Sequence, residues 1–109
     1  CYPFWEGADI EVATAYLRYM YNLVVQQAGG KPVVISETGW PNDGEATEDA
    51  KPSKLNAMKY FINVNHWAEK EHIKVFYFSS FDESWKIHHE GDVGQRWGLW
   101  DKHENLKYK

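Results

Sequence analysis

Glu37 stands at the end of a β-branched apolar run, Val33-Val34-Ile35-Ser36, and the chain turns directly after it through Thr38-Gly39-Trp40-Pro41. A second acid, Glu83, lies in Phe81-Asp82-Glu83-Ser84-Trp85-Lys86, and an aromatic segment, Tyr2-Pro3-Phe4-Trp5-Glu6, opens the sequence. Carboxylates among aromatic rings suit glycoside hydrolysis. One acid attacks the anomeric carbon or activates water, another protonates the leaving oxygen, and rings stack on the apolar faces of the sugars. As residue types alone, Glu37 and Glu83 serve equally well as caps of the turns or helices that follow their strands.

The elements that position these residues follow from periodicity. Cys1 to Trp5 reads as the tail of a strand, with Pro3 suited to its edge. Asp9 caps a helix from Ile10 to about Ala28, whose apolar stripe runs Ala13, Tyr16, Leu17, Met20, Leu23 and Val24 before Gly29-Gly30 ends it. Val33 to Ser36 is a second strand, apolar without alternation, as strands covered on both faces are. Residues 42–52 form a polar, acidic loop. Ser53 caps a second helix with Ala57, Phe61, Val64 and Ala68 on one stripe. Ile73 to Phe78 is a third strand, and residues 79–96 read as a long loop before Trp97-Gly98-Leu99-Trp100. The order β-α-β-α-β implies parallel strands joined by right-handed crossovers. Their carboxyl ends gather Tyr2, Trp5, Glu37, Trp40, Glu83, Trp85 and Lys86 on one rim, whereas the opposite rim holds Gly30, Lys31, Pro32 and His72.

Composition narrows the classes. At 109 residues the chain is one domain at most. Six Trp, seven Tyr and five Phe are many for that length, and they favour either a ring-lined ligand site or an aromatic core. A net charge of −4 without a Lys/Arg cluster argues against nucleic acid, and the apolar stretches are too short to cross a bilayer. Gly29-Gly30 ends a helix and opens none, which argues against a dinucleotide fold. His88-His89-Glu90 and Asp92 lack the spacing of a metal site, and Asp43, Glu45, Glu48 and Asp49 lack that of a calcium loop, so both read as solvated loops. Cys1 has no paired base and reads as a small strand residue; a chain that starts there looks cut from something longer.

Four motifs in order carry a resemblance. Ile35-Ser36-Glu37-Thr38-Gly39-Trp40-Pro41 resembles the signature around the nucleophile of glycoside hydrolase family 17, the β-1,3-glucanases and related glucan transferases. Tyr2-Pro3-Phe4-Trp5 resembles the Tyr-Pro-aromatic segment of that family's sixth strand. Phe81-Asp82-Glu83-Ser84-Trp85-Lys86 resembles the acidic segment after its eighth, and Trp97-Gly98-Leu99-Trp100 the segment that closes the barrel. Asp-Glu-x-Trp-Lys and Trp-Gly-Leu-Trp are nearer the bacterial and fungal members than the plant enzymes.

The resemblance implies an α/β fold in which residues 1–109 form a single partial domain, strands six to eight of a (β/α)8 TIM barrel, incomplete as a barrel on its own. A full barrel takes about 250 residues. It implies Glu37 as the nucleophile of a retaining mechanism, Tyr2 as its neighbour, Glu83 and Lys86 as contacts to sugar hydroxyls, and Trp40, Trp85 and Trp5 as stacking walls. The family's acid/base, a glutamate preceded by Asn after the fourth strand, has no counterpart in this sequence; Glu104-Asn105 has the reverse order. The implied partners are a β-glucan and either the N-terminal part of the barrel or a second copy, with no cofactor and no metal. The implied location is secreted, periplasmic or cell-wall associated. Two other readings stay open: a non-catalytic glucan-binding segment, and a half-barrel with only a role in assembly.

Overall fold

The computed structural model describes residues 1–108. Helix α1 spans Ile10–Gln27, and Asp9 caps it by accepting a hydrogen bond from the Glu11 amide at 2.8 Å. It ends where Gly29 and Gly30 take φ of 60° and 82°, a backbone region that glycine enters without a Cβ penalty. Strand β1 is Ile35–Thr38 and helix α2 is Lys54–Lys70, with the Ser53 hydroxyl accepting from the Asn56 amide at 3.0 Å. Strand β2 is Val75–Tyr77 and pairs parallel to β1, with Ile35 opposite Val75 and Thr38 opposite Tyr77. Helix α2 is thus the crossover of a βαβ unit, the connection that parallel strands require.

Three expectations are corrected. Cys1 to Trp5 is not a strand. The Cys1 amine donates to the Glu37 carbonyl at 3.2 Å, but the backbone then closes into turns through Trp5 N to Tyr2 O (3.1 Å) and Ala8 N to Pro3 O (3.0 Å). Pro3 has no N–H to continue a ladder. The sheet therefore holds two strands among the described residues. Strand β1 lies two residues later than Val33–Ser36, so Glu37 is within it, and β2 is shorter than Ile73–Phe78 because the Ile73 amide still bonds the Ala68 carbonyl at the end of α2. Nor is the sheet covered on both faces: Val34 is 44% and Phe76 65% exposed.

Residues 79–96 are also more than a loop. They contain a 3₁₀ turn at Ser84–Lys86, the single-turn helix α3 at Ile87–Glu90, and a second 3₁₀ turn at Asp92–Gln95. Beside them, Trp97 to Trp100 runs extended along residues 79–82, held by Ser79 N to Trp97 O (3.2 Å), Leu99 N to Ser79 O (3.0 Å) and Asp82 N to Trp100 O (3.0 Å).

The core lies between the helices and one sheet face: Leu17, Ile35, Tyr60, Val64 and Trp67, continued by Phe4, Trp40 and Trp97. Side chains of this size contribute about 1.5–3 kcal/mol each when fully buried. One polar pair crosses this core. The Thr38 and Tyr60 hydroxyls, both fully buried, meet at 2.6 Å and tie β1 to α2. Burial also pushes the Tyr60 phenol far above its ordinary range, so it stays a neutral hydrogen-bonding group. Tyr60→Phe leaves the Thr38 hydroxyl unpaired in the core. It should destabilise the protein by about 1–3 kcal/mol in chemical denaturation, and adding Thr38→Val should recover part of that loss. A single variant with an unchanged midpoint would show that the pair contributes nothing.

Candidate active site

At the carboxyl end of the sheet, a cleft of about 150 Å³ is lined by Tyr2, Trp5, Glu37, Phe78, Lys86, Glu90 and Trp97. Three chain segments meet there: the turn after Cys1, strand β1, and the segment after β2. The Tyr2 phenol donates to Glu37 Oε2 at 2.6 Å, which fixes one carboxylate oxygen of this lining residue. Burial, then the hydrogen bond to Glu37, then the charges of Glu37, Glu90 and Glu83 hold the Tyr2 phenol far above its ordinary range. Tyr2 is therefore a fixed donor and cannot act as a base near neutral pH.

Lys86 stands opposite. Its Nζ pairs with Glu83 Oε2 at 2.6 Å and lies 4.2 Å from the Phe78 ring centroid and 5.4 Å from that of Trp85. Its side chain is only 15% exposed, so this ion pair is better shielded than most surface pairs. Neither glutamate is a cap. Glu37 lies in a strand and bonds Tyr2, and Glu83 precedes the 3₁₀ turn without a side-chain bond to it.

The aromatic residues divide. Trp40 is corrected from stacking wall to core. It is 1% exposed, packs against Phe4 and Tyr60 at centroid distances of 5.4 and 5.5 Å, and donates Nε1 to the Lys51 carbonyl. A ring enclosed on both faces has none left for a sugar. Trp85 is 63% exposed beside Lys86, and Trp5 is 40% exposed in the cleft wall. Trp97 forms the floor, 3% exposed and in edge contact with Tyr2 at 5.3 Å and Phe4 at 5.6 Å.

Sequence reasoning missed three lining residues: Phe78, Trp97 and Glu90. Phe78 and Trp97 belong to segments that were read as strand end and closing motif, and only the packing of those segments brings them under the cleft. Glu90, by its sequence neighbours His88, His89 and Asp92, reads as part of a solvated loop. Among the described residues no group of His, Cys, Asp and Glu gathers to hold a metal. Asp82, on the same segment as Glu83, points elsewhere: it pairs with Lys107 at 2.6 Å and accepts from the Gly98 amide at 3.0 Å. Polar hollows of about 260 and 500 Å³ lie around Asp82, Arg96 and Asp101, and neither includes Glu37.

A carboxylate oriented by a phenol, with an ammonium group and an exposed indole in the same cleft, suits a carbohydrate-active α/β domain. The BtgE/BtgC glycoside hydrolase domain matches residues 1–98. The chain belongs to glycoside hydrolase family 17. It is 31% identical to a glucan 1,3-beta-glucosidase of Saccharomyces cerevisiae over 98% of this chain and 37% of that protein. The crystal structure of a family 17 β-1,3-glucanosyltransferase from Rhizomucor miehei superimposes with a TM-score of 0.93 at 36% identity, over 99% of this chain and 39% of that one. An active-site mutant of the Rhizomucor miehei β-1,3-glucanosyltransferase, in complex with laminaritriose, gives 0.92 at 35%. This chain spans less than two-fifths of the length of these relatives.

The Tyr2 environment has a titration signature. A phenol that holds its proton more tightly when folded adds no pH dependence below about pH 10, the ordinary tyrosine value. Above it, the folded state loses stability as pH rises, because the unfolded chain releases a proton that the folded phenol still holds. Wild type and Tyr2→Phe should therefore show the same tyrosinate absorbance through pH 10. A difference appearing at the ordinary tyrosine value would show that Tyr2 is not held by Glu37 and burial.

Proposed function

We propose that this chain is the C-terminal part of a retaining glycoside hydrolase or glucanosyltransferase acting on β-1,3-glucan, with Glu37 as its nucleophile. The observation that carries the reading is the 2.6 Å bond from Tyr2 to Glu37 Oε2 in a cleft shared with Lys86 and the exposed Trp5 indole. The phenol orients the carboxylate and leaves its free oxygen to attack the anomeric carbon. A glycosyl-enzyme ester forms as the leaving oxygen departs with a proton from an acid outside this chain; water or a sugar hydroxyl then takes the glycosyl group and restores the carboxylate. Glu83 and Lys86 bind hydroxyls of the reacting ring, and Trp85 and Trp5 offer stacking faces.

That the relatives are more than twice as long as this chain supports an acid/base in a part of the barrel that precedes these residues. The same division explains the uncovered apolar surface. Val34 and Phe76 on the sheet, and Leu23 and Val24 on α1, are exposed here and would be covered by the preceding strands and helices of a complete (β/α)8 barrel. The relatives' names support a β-glucan substrate, and a secreted or cell-wall location rests on that likeness to fungal glucan-modifying enzymes.

In the full-length protein, Glu37→Gln should lower kcat/KM on laminarin on the order of 10³-fold or more. A fluorinated glucosyl inactivator should label Glu37 in peptide mass mapping. Labelling of another acid, or full activity in Glu37→Gln, would remove Glu37 from the mechanism. The isolated 109-residue chain should turn over no laminarin; turnover that vanishes with Glu37→Gln would show that the chain supplies its own proton donor.

A further inference from the structure

Glu90 has an unusual seat for an exposed acid on a single helical turn. Gly91, at φ 75°, ends α3 and reverses the chain, and the Gly94 amide bonds back to the Gly91 carbonyl at 3.1 Å. Gly94 is buried, and a Cβ built on it would stand 2.4 Å from Glu90 Cβ and 3.0 Å from Glu90 Oε2. The Glu90 side chain therefore lies directly across this glycine, in space that any larger residue would take. In that place it lines the cleft of Glu37. Its charge is among those that keep the Tyr2 phenol protonated.

The charges around it give it a role. Lys86, one helical turn earlier, is committed to Glu83, and no ion pair or hydrogen bond takes up the Glu90 carboxylate among the described residues. The cleft is thus lined by two carboxylates, Glu37 and Glu90, and by one lysine whose charge is already paired with Glu83. An excess of acceptors repels anionic ligands and favours neutral ones rich in hydroxyl donors; it also favours positive charge developing on a reacting sugar ring.

We propose that Glu90 is a third carboxylate of this site, accepting hydrogen bonds from hydroxyls of the sugar ring seated against Glu37, and that Gly94 is what allows it to lie there. The proposal rests on the glycosidase reading of the cleft. It is tested in the full-length protein with laminaritriose as the probe. Calorimetry compares Glu37→Gln with Glu37→Gln/Glu90→Gln, and kinetics compares wild type with Glu90→Gln. Gln keeps the packing against Gly94 and removes the charge, so folding is preserved, whereas Glu90→Ala would empty the space across that glycine. Laminaritriose binding and kcat/KM should each fall about tenfold or more, the worth of a charge-assisted hydrogen bond, at an unchanged melting temperature. Affinity and kcat/KM within twofold of the parent would overturn the role of Glu90 while leaving Glu37 untouched. An active Glu37→Gln would instead overturn the reading of the cleft itself.

Discussion

The site depends on how closely the ends of the two strands approach. A Cβ at Gly39 would stand 1.9 Å from the Phe78 carbonyl oxygen, closer than any side chain permits, and the Phe78 amide bonds the Thr38 carbonyl at 2.7 Å. Only glycine after Thr38 lets the backbones converge there. That convergence sets Phe78 beside Glu37 and starts the segment that carries Glu83, Lys86 and Glu90 on the same side. Trp97 fills the space below, with its ring 3.3 Å from the same Gly39 position. Gly98 repeats the device one layer on, where a Cβ would stand 2.3 Å from the Asp82 amide nitrogen. Two glycines in tryptophan-rich turns thus fix the spacing of the rim.

Much of this was legible in the sequence where local rules decide. Asp9 and Ser53 begin their helices because their side chains satisfy free amides, and Gly29-Gly30 ends α1 because no other pair enters positive φ so freely. The approach of Glu37 and Lys86 follows from the parallel order of β1 and β2, whereas Tyr2 and Trp5 reach the cleft from a turn. Three readings failed for non-local reasons. Cys1 to Trp5 has strand composition, but a strand needs a continuing ladder, and Pro3 and the turns after it end the pairing at one bond. Trp40 carries the same motif signal as Trp85, yet the turn at Gly39 folds it inward onto Phe4 and Tyr60. Glu90 looked solvated because its place is decided by a glycine four residues later, a contact that periodicity does not encode.

The arrangement also assigns a direction to the chemistry. A retaining mechanism needs two carboxyl groups about 5–5.5 Å apart, one attacking and one donating a proton. Glu83 is bonded to an ammonium group, and a carboxylate so held is an acceptor. Tyr2 keeps its proton for Glu37. On the proposed reading, Tyr2 orients the nucleophile and the Lys86–Glu83 pair binds hydroxyls. The cleft is also open where a donor is needed: its walls come from the turn after Cys1 and from the β1 and β2 ends, and the adjoining sheet face bearing Val34 and Phe76 is uncovered. The missing chemistry and the missing apolar cover therefore make the same demand. On the proposed reading, a polypeptide that buries that face would also wall the cleft, so folding of a complete barrel and completion of a catalytic pair would be one event.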